Sequence, residues 1–340
     1  MATKRSSSAK KKRLLISDVY ARYLRHVEVT KEGTTLTSYR QRAGVLVRLL
    51  SEVCQLQYLD EVEVDHLRQC VQRLQAMDLG EITEGRRRGR VPVNGSYAVE
   101  TVRGYIRIWK AFFSWCLEEG LILVNPADPR FKSPRPEDKV KVTFTEDQIY
   151  KMLAVFDTSE SLGFRNYVIL VLLLDTGMRL SELEGLQFKD VHETYVKVHG
   201  KGRKEREIGI SPETNTLIWK YTSQYRMPKD ETVEALFLTR SGTGVTDGTI
   251  KWIVARVKQE TGFIDIQVSP HVFRHTFAKM YLGNGGDVFK LSREMGHSSV
   301  QVTELYLKDF GSAEARKEHT SRSPLAKLNL KKQHSKRRKK

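Results

Sequence analysis

The sequence predicts a mainly α-helical protein that carries one small antiparallel β-sheet and is divided into two domains. Apolar residues recur at helical spacing from residue 14 to 129, and a proline-rich, charged stretch without periodicity follows them. Residues 191–210 instead alternate apolar and polar side chains around glycines, which is typical of a β-hairpin. The 340 residues, 39% of them hydrophobic, are enough to bury a core in each of two domains.

Four amphipathic segments predict the helices of the N-terminal domain, at residues 16–27, 34–53, 62–77 and 97–122. The last segment carries Ile106, Trp109, Phe113 and Leu117 on one stripe. Apolar side chains at this spacing favour core packing over base stacking.

A polar loop before the last of these helices contains the sequence GRRRGR. Such a loop can contact DNA phosphates, and it can equally be a solvated surface loop. The arginines of this candidate DNA contact are Arg86, Arg87, Arg88 and Arg90.

A linker is predicted at the end of this domain, because residues 125–142 hold four prolines and five Lys or Arg residues. We expect a basic N-terminal tail, a helical domain, a linker, a second domain and a basic C-terminal tail, at residues 1–13, 14–129, 130–142, 143–315 and 316–340.

The positive charge of the chain is concentrated in its two ends. Residues 1–13 carry +6 and residues 316–340 carry +10 of the net +17, which leaves +1 for the residues between them. Basic tails commonly tether a protein to nucleic acid or act as import signals. We therefore expect a cytoplasmic, nucleoid-associated protein, or a nuclear one if the source is eukaryotic.

The second domain is predicted to begin with a helix capped by Thr145 and to continue through a buried helix at 164–175. The hairpin follows, and helices resume from about 212 to 309. The longest apolar run, residues 167–174, is about half of a membrane span. No membrane partner is expected, and the three cysteines lack a CxxC spacing, which favours a reduced intracellular protein.

Two short motifs of the second domain could bind an anion. In DTGMRLSELEGL a helix break at Gly177 is followed by Arg179 and, three residues on, Glu182. This pair is either a surface salt bridge or an arginine at a helix start, where the dipole favours an anion. Lys201 lies between two glycines at the hairpin turn and either faces water or reaches a site.

The segment HVFRHTF places His271, Arg274 and His275 on one side of a predicted helix. A zinc site would need the glutamate of HExxH, which is missing, and Arg274 would repel a cation. Two imidazoles and a guanidinium suit a phosphate better. Neither a metal nor a cofactor is expected.

The segment REMGHSSVQVTELYL contains the last candidates, His297 and Tyr306. Gly296 is predicted to end one helix, Ser299 to cap the next, and Tyr306 to lie two turns into it. Taken singly, Tyr306 is a half-buried helical tyrosine.

Taken together and in order, TGMRLSELEGL, GKGRKER, HVFRHTFA and MGHSSVQVTELY resemble the motifs of the tyrosine recombinase, or phage integrase, family over residues 143–310. The N-terminal unit is similar to that family's helical core-binding domain. Chain length and the absence of a separate arm-binding domain resemble the simple Cre- or Xer-like members. The resemblance implies a two-domain architecture, with an α+β catalytic domain after the core-binding domain.

The resemblance also implies a role for each site residue. Tyr306 would attack DNA to form a 3′-phosphotyrosine. Arg179, Arg274 and His297 would bind the phosphate oxygens, Lys201 would protonate the leaving 5′-hydroxyl, and His271 would help move the proton of Tyr306. We expect Glu182 to orient these groups and His275 to hold the helix in place, and neither of them to react.

The implied partners are double-stranded DNA sites, a homotetramer on paired DNA that passes through a Holliday junction, and an accessory DNA-bending or directionality factor. Two alternatives stay open: a type IB topoisomerase-like strand transferase, and a DNA-binding protein with a decayed active site. The target sequence and the choice among phage, transposon and chromosome or plasmid roles do not follow from the sequence.

Overall fold

The computed structural model of the chain describes residues 13–77, 97–135, 142–200, 205–297 and 299–307. The chain divides into two compact units, Met1–Asp138 and Lys139–Lys340. The described residues are mainly helical and contain one two-stranded sheet, so the predicted fold class is confirmed.

The described residues of unit 1 form four α-helices, which are α1 Ile16–Thr30, α2 Gly33–Glu52, α3 Val64–Ala76 and α4 Val99–Glu118. A short 3₁₀ turn, Leu59–Glu61, precedes α3. Helices α1, α3 and α4 each pack against α2 through their apolar faces, and α3 also packs against α4. Tertiary packing of these faces, rather than helix propensity, is what stabilises helices of this length.

The aromatic stripe of α4 belongs to the core, as predicted. Ile106, Trp109 and Phe113 are fully buried. The indole of Trp109 donates a hydrogen bond to the carbonyl of Arg42 at 2.9 Å, so its one polar group is satisfied. Leu117 is the exception: it is 42% exposed, although Cys116 in the same last turn is fully buried.

Unit 2 is built around one buried helix. Its helices are α5 Glu146–Leu153, α6 Ser161–Thr176, α7 Leu180–Glu184, α8 Pro212–Gln224, α9 Asp247–Thr261, α10 Pro270–Gly283, α11 Val288–Met295 and α12 Gln301–Glu304. Helix α6 packs against α8 and α10 and is apolar on most of its circumference, as a central helix must be. Thr145 caps α5, as predicted: its hydroxyl accepts a hydrogen bond from the backbone N–H of Gln148.

The predicted hairpin is present as strands β1 Tyr195–His199 and β2 Glu205–Gly209, which pair antiparallel. Tyr195 pairs with Gly209 and His199 pairs with Glu205. Strand β2 also contacts α11, which brings the sheet next to the chain segment that precedes His297.

Within the described residues, none of the helices combines the length and apolar character that a membrane span requires.

Candidate active site

The first candidate motif lies at a sharp break between two helices. Helix α6 ends at Thr176, and Gly177 adopts the left-handed conformation with φ of 55°. A side chain there would collide with the ring of Phe277, whose Cδ1 lies 2.4 Å from an ideal Cβ position. Helix α7 then begins, with Arg179 as its N-cap. The helix break predicted at Gly177 is therefore confirmed.

Glu182 folds back onto the start of α7. Its Oε2 accepts the backbone N–H of Arg179 at 2.8 Å, and its Oε1 accepts Nη1 of the same residue at 2.8 Å. The carboxylate is only 3% exposed, so the pair is not the surface salt bridge that the sequence left open.

A third residue, Arg206 on β2, binds the same carboxylate. Its Nη1 and Nη2 donate to Oε1 and Oε2 of Glu182 at 2.6 and 2.8 Å, a bidentate pair. Burial raises the pKa of Glu182, but the hydrogen bonds from Arg206 and Arg179 outweigh it and leave the pKa below its ordinary value. The carboxylate is therefore ionised at neutral pH.

Arg274 lies on α10 and is 7% exposed. Its Nη1 donates to the carbonyl of Gly177 at 2.7 Å, and its Nη2 donates to the carbonyl of Met295. Burial, reinforced by the nearby Arg179, lowers the pKa of Arg274 to about 10, which leaves the guanidinium charged at neutral pH.

The C-terminal end of α11 holds all three guanidinium groups. Three successive carbonyls accept from three arginines: Glu294 from Arg206 at 2.6 Å, Met295 from Arg274, and Gly296 from Arg179 at 2.8 Å. These carbonyls have no partner inside the helix and lie at the negative end of its dipole. Gly296 ends the helix in the left-handed conformation, with φ of 62°, as predicted.

His297 follows immediately, so it sits beside this arginine cluster. Its backbone N–H donates to the carbonyl of Ser292 at 3.1 Å, which continues the cap of α11. Its Nδ1 lies 2.7 Å from the hydroxyl oxygen of Thr303 in α12.

The prediction that Tyr306 lies two turns into a helix was wrong. Helix α12 is a single turn that ends at Glu304, and Tyr306 follows it with its backbone N–H bonded to the carbonyl of Thr303 at 3.0 Å. Ser299 lies one residue before the N-cap position, Val300, and its hydroxyl accepts from the backbone N–H of Gln301 at 3.3 Å.

Tyr306 is 2% exposed and packs with Phe277, Leu291 and Met295. Its hydroxyl lies 2.7 Å from Nδ1 of His275. Burial raises the pKa of Tyr306, and the charge of Arg274 opposes this only in part. The phenol is therefore protonated at neutral pH, and an attack by its oxygen requires a proton acceptor.

Helix α10 carries the three residues of HVFRHTF, as predicted, but their surroundings differ. His271 lies in the first turn and is exposed, Arg274 is buried, and His275 is half-buried against Tyr306. The sequence spacing predicted that the three residues share one side of a helix. It did not indicate that His275, rather than His271, contacts Tyr306.

Some predicted residues lie outside the described residues. These are Lys201 and the loop arginines Arg86, Arg87, Arg88 and Arg90. The strands on either side of Lys201 are described, and they end at His199 and begin again at Glu205.

Arg206 was not predicted as a site residue, although it belongs to the GKGRKER motif. A basic residue in a short strand next to a candidate lysine was the only local signal. The described residues contain no group of three or more His, Cys, Asp or Glu side chains that could hold a metal ion.

Comparison with known sequences identifies the family. The profile of the phage integrase family matches residues 143–311. The tyrosine recombinase XerD of Lacticaseibacillus casei is 30% identical over 217 residues, which are 63% of this chain and 73% of that protein. The tyrosine recombinase XerC of Bacillus pumilus is 30% identical over 214 residues, which are 61% of this chain and 69% of that protein.

Solved structures share the fold. The Tn1549 transposon integrase in complex with a circular intermediate DNA has a TM-score of 0.66 and 21% identity, covering 90% of this chain and 99% of that one. A lambda integrase dimer bound to a COC′ core site has a TM-score of 0.62 and 16% identity, covering 85% and 97%. The chain therefore belongs to the tyrosine recombinase family and is, as its motifs predicted, a site-specific recombinase.

Proposed function

We propose that this recombinase cuts and rejoins double-stranded DNA through a 3′-phosphotyrosine formed by Tyr306. The observation that supports this most strongly is the pair of guanidinium groups, Arg179 and Arg274, held on backbone carbonyls at the end of α11. Such groups keep their positions when charge develops on a phosphate, so little reorganisation is needed at the moment of reaction.

Arg179, Arg274 and His297 bind the non-bridging oxygens of the scissile phosphate in this mechanism. Arg179 keeps 42% of its side chain exposed, so part of it remains available to DNA. Loss of one preorganised donor of this kind costs on the order of 10²–10³ in rate. Glu182 orients Arg179 and does not itself react.

Strand transfer needs one proton removed and one supplied. The phenol oxygen of Tyr306 attacks phosphorus, the bond from phosphorus to the 5′-oxygen breaks, and Lys201 protonates that oxygen. The Nδ1 atom of His275 lies 2.7 Å from the Tyr306 hydroxyl and is placed to take its proton. The role of His271 in moving that proton rests on the motif alone. The phosphotyrosine conserves the energy of the broken bond, so rejoining needs neither ATP nor another activating group.

The DNA partner is supported by the structures that share the fold, because the Tn1549 and lambda integrases were both determined on DNA. We propose that residues 14–129 form the core-binding domain, that residues 130–142 form the linker and that residues 143–315 form the catalytic domain. Four protomers would pair two sites and exchange strands through a Holliday junction, with an accessory DNA-bending or directionality factor. A role in a mobile genetic element is consistent with the phage integrase profile.

A test of this proposal separates it from a topoisomerase and from a decayed enzyme. Plasmids with one or two copies of DNA from the native locus are incubated with the protein. We expect recombinant products from the two-site plasmid only. Relaxation of the one-site plasmid without recombinants would contradict recombination, and binding of DNA without any strand breakage would contradict catalysis.

A further inference from the structure

We propose that Arg206 is a positioning residue of the strand-transfer site, which it serves by holding Glu182 and thereby Arg179. The inference rests on the proposed function, since the phosphate role of Arg179 belongs to that proposal. It adds a residue of strand β2 to the site.

The contacts of Arg206 join three elements. Its two terminal nitrogens bind the carboxylate of Glu182 in α7, and its Nε donates to the carbonyl of Glu294 in α11 at 2.6 Å. Every nitrogen of this guanidinium therefore already donates to the protein. Its side chain is 15% exposed, against 42% for Arg179. Arg206 thus supports the site, whereas Arg179 retains a surface for the phosphate.

The charges explain why this support matters. Arg179, Arg206 and Arg274 share a single ionised carboxylate, Glu182, which accepts hydrogen bonds from the first two. Without Arg206, the carboxylate would lose its bidentate partner and would be held by Arg179 alone. Arg179 would then be drawn toward the carboxylate and away from the phosphate, and displacements of about 1 Å can cost on the order of 10² in rate.

The side chain of Arg206 also fits against the backbone of the MGH segment. An ideal Cβ on Gly296 would lie 3.0 Å from its guanidinium carbon. The guanidinium plane therefore occupies the space that a larger residue before His297 would need. Arg206 therefore links α7 to the end of α11, alongside the direct hydrogen bond from Arg179 to the carbonyl of Gly296.

The experiment compares two DNA substrates that differ in charge at one atom. Nicked DNA is made with a normal scissile phosphate or with a methylphosphonate, in which a neutral methyl group replaces one non-bridging oxygen. A substrate without that charge depends less on guanidinium groups placed for it. Single-turnover cleavage rates are measured for wild type, Arg206→Met, Arg206→Lys and Arg179→Met.

We expect Arg206→Met to slow cleavage of the phosphate on the order of 10²-fold and cleavage of the methylphosphonate by much less. We expect the same pattern for Arg179→Met. Arg206→Lys keeps the charge but cannot bind bidentately, so its loss should be smaller and follow the same pattern. The double variant with Arg179→Met should be no slower than Arg179→Met alone.

Arg226→Met is the matched control, since Arg226 donates to the carbonyls of Val233 and Ala235 and lies outside the arginine cluster. It should change both substrates by the same factor. Equal slowing of both substrates by the Arg206 variants, or additive loss with Arg179→Met, would overturn the positioning role. Cleavage of neither substrate by wild type would instead refute the proposed function.

Discussion

Glu182 is the residue that ties the arginine cluster together. It is almost fully buried, and it accepts hydrogen bonds from the backbone and side chain of Arg179 and from both ends of the Arg206 guanidinium. Removing one partner of a buried charged pair leaves the other without compensation and is strongly destabilising. The carboxylate of Glu182 therefore both stabilises the fold and orients Arg179.

We expect Glu182→Gln to lower the free energy of unfolding by about 3 kcal/mol at neutral pH, as measured by denaturant titration. The folded-state pKa of Glu182 lies below its ordinary value of 4.5. Its contribution is therefore complete above that pH and is lost as the pH falls through the folded pKa. The difference between wild type and variant should shrink below about pH 4.5. A difference that stayed constant would show that the ionised form does not supply the stability.

Helix α11 contributes to the site through its end rather than through its side chains. Gly296 ends it with φ of 62° and packs against the Arg206 guanidinium. Gly262 ends α9 with the same φ, but nothing lies within 4 Å of its ideal Cβ position. Substituting Gly262 therefore tests only the conformational cost of a side chain in the left-handed region. Substituting Gly296 adds any effect on the arginine cluster.

We expect Gly296→Ala and Gly262→Ala each to cost about 1–2 kcal/mol in the free energy of unfolding, because alanine is strained in this conformation. Only Gly296→Ala should also slow DNA cleavage by a large factor, since it displaces Arg206. Thermal unfolding and single-turnover cleavage would be measured on both variants. Equal cleavage rates in the two would contradict the link between the end of α11 and the site.

The β1–β2 hairpin connects the strand of Arg206 to Lys201. We expect Lys201→Ala to slow cleavage of normal DNA strongly, because an alkoxide leaves poorly without a proton. A 5′-bridging phosphorothioate has a far better leaving group and should restore the rate. Parallel single-turnover assays on the two substrates test this, with Arg179→Met as a control that sulfur should not rescue. Failure of the rescue in Lys201→Ala would remove the acid role.

At the scale of the whole molecule, the two ends of the chain carry most of its positive charge. Residues 316–340 contribute +10 of the net charge. We expect the deletion to weaken DNA binding and to flatten the dependence of affinity on salt, because fewer counterions are released. A variant of full length with glutamine at the basic positions should behave like the deletion. An unchanged slope in both would leave the tail without a phosphate contact.

Much of the fold could be predicted because its signals are local. Thr145 with Gln148, the helix breaks at Gly177 and Gly296, and the alternation around β1 and β2 each act over a few residues. The prediction that Tyr306 lies in a helix was wrong, because α12 ends at Glu304 after one turn. The spacing between His297 and Tyr306 does not indicate where the helix between them ends.

The missed parts of the site depend on contacts between distant segments. The Arg206 side chain meets the Glu294 carbonyl 88 residues later, and His275 meets Tyr306 31 residues later. No periodicity or motif spacing encodes such pairs. Only the packing of β2, α10 and α11 brings them together.

The central claim is that Tyr306 forms a covalent bond with DNA, and a trapping experiment tests it most directly. Wild type and Tyr306→Phe are incubated with nicked DNA from the native locus, EDTA is added, and the products are separated on a denaturing gel. We expect a covalent adduct with wild type only, while both proteins bind the DNA equally in a native gel. An adduct that persists in Tyr306→Phe would contradict the account, as would its absence from wild type.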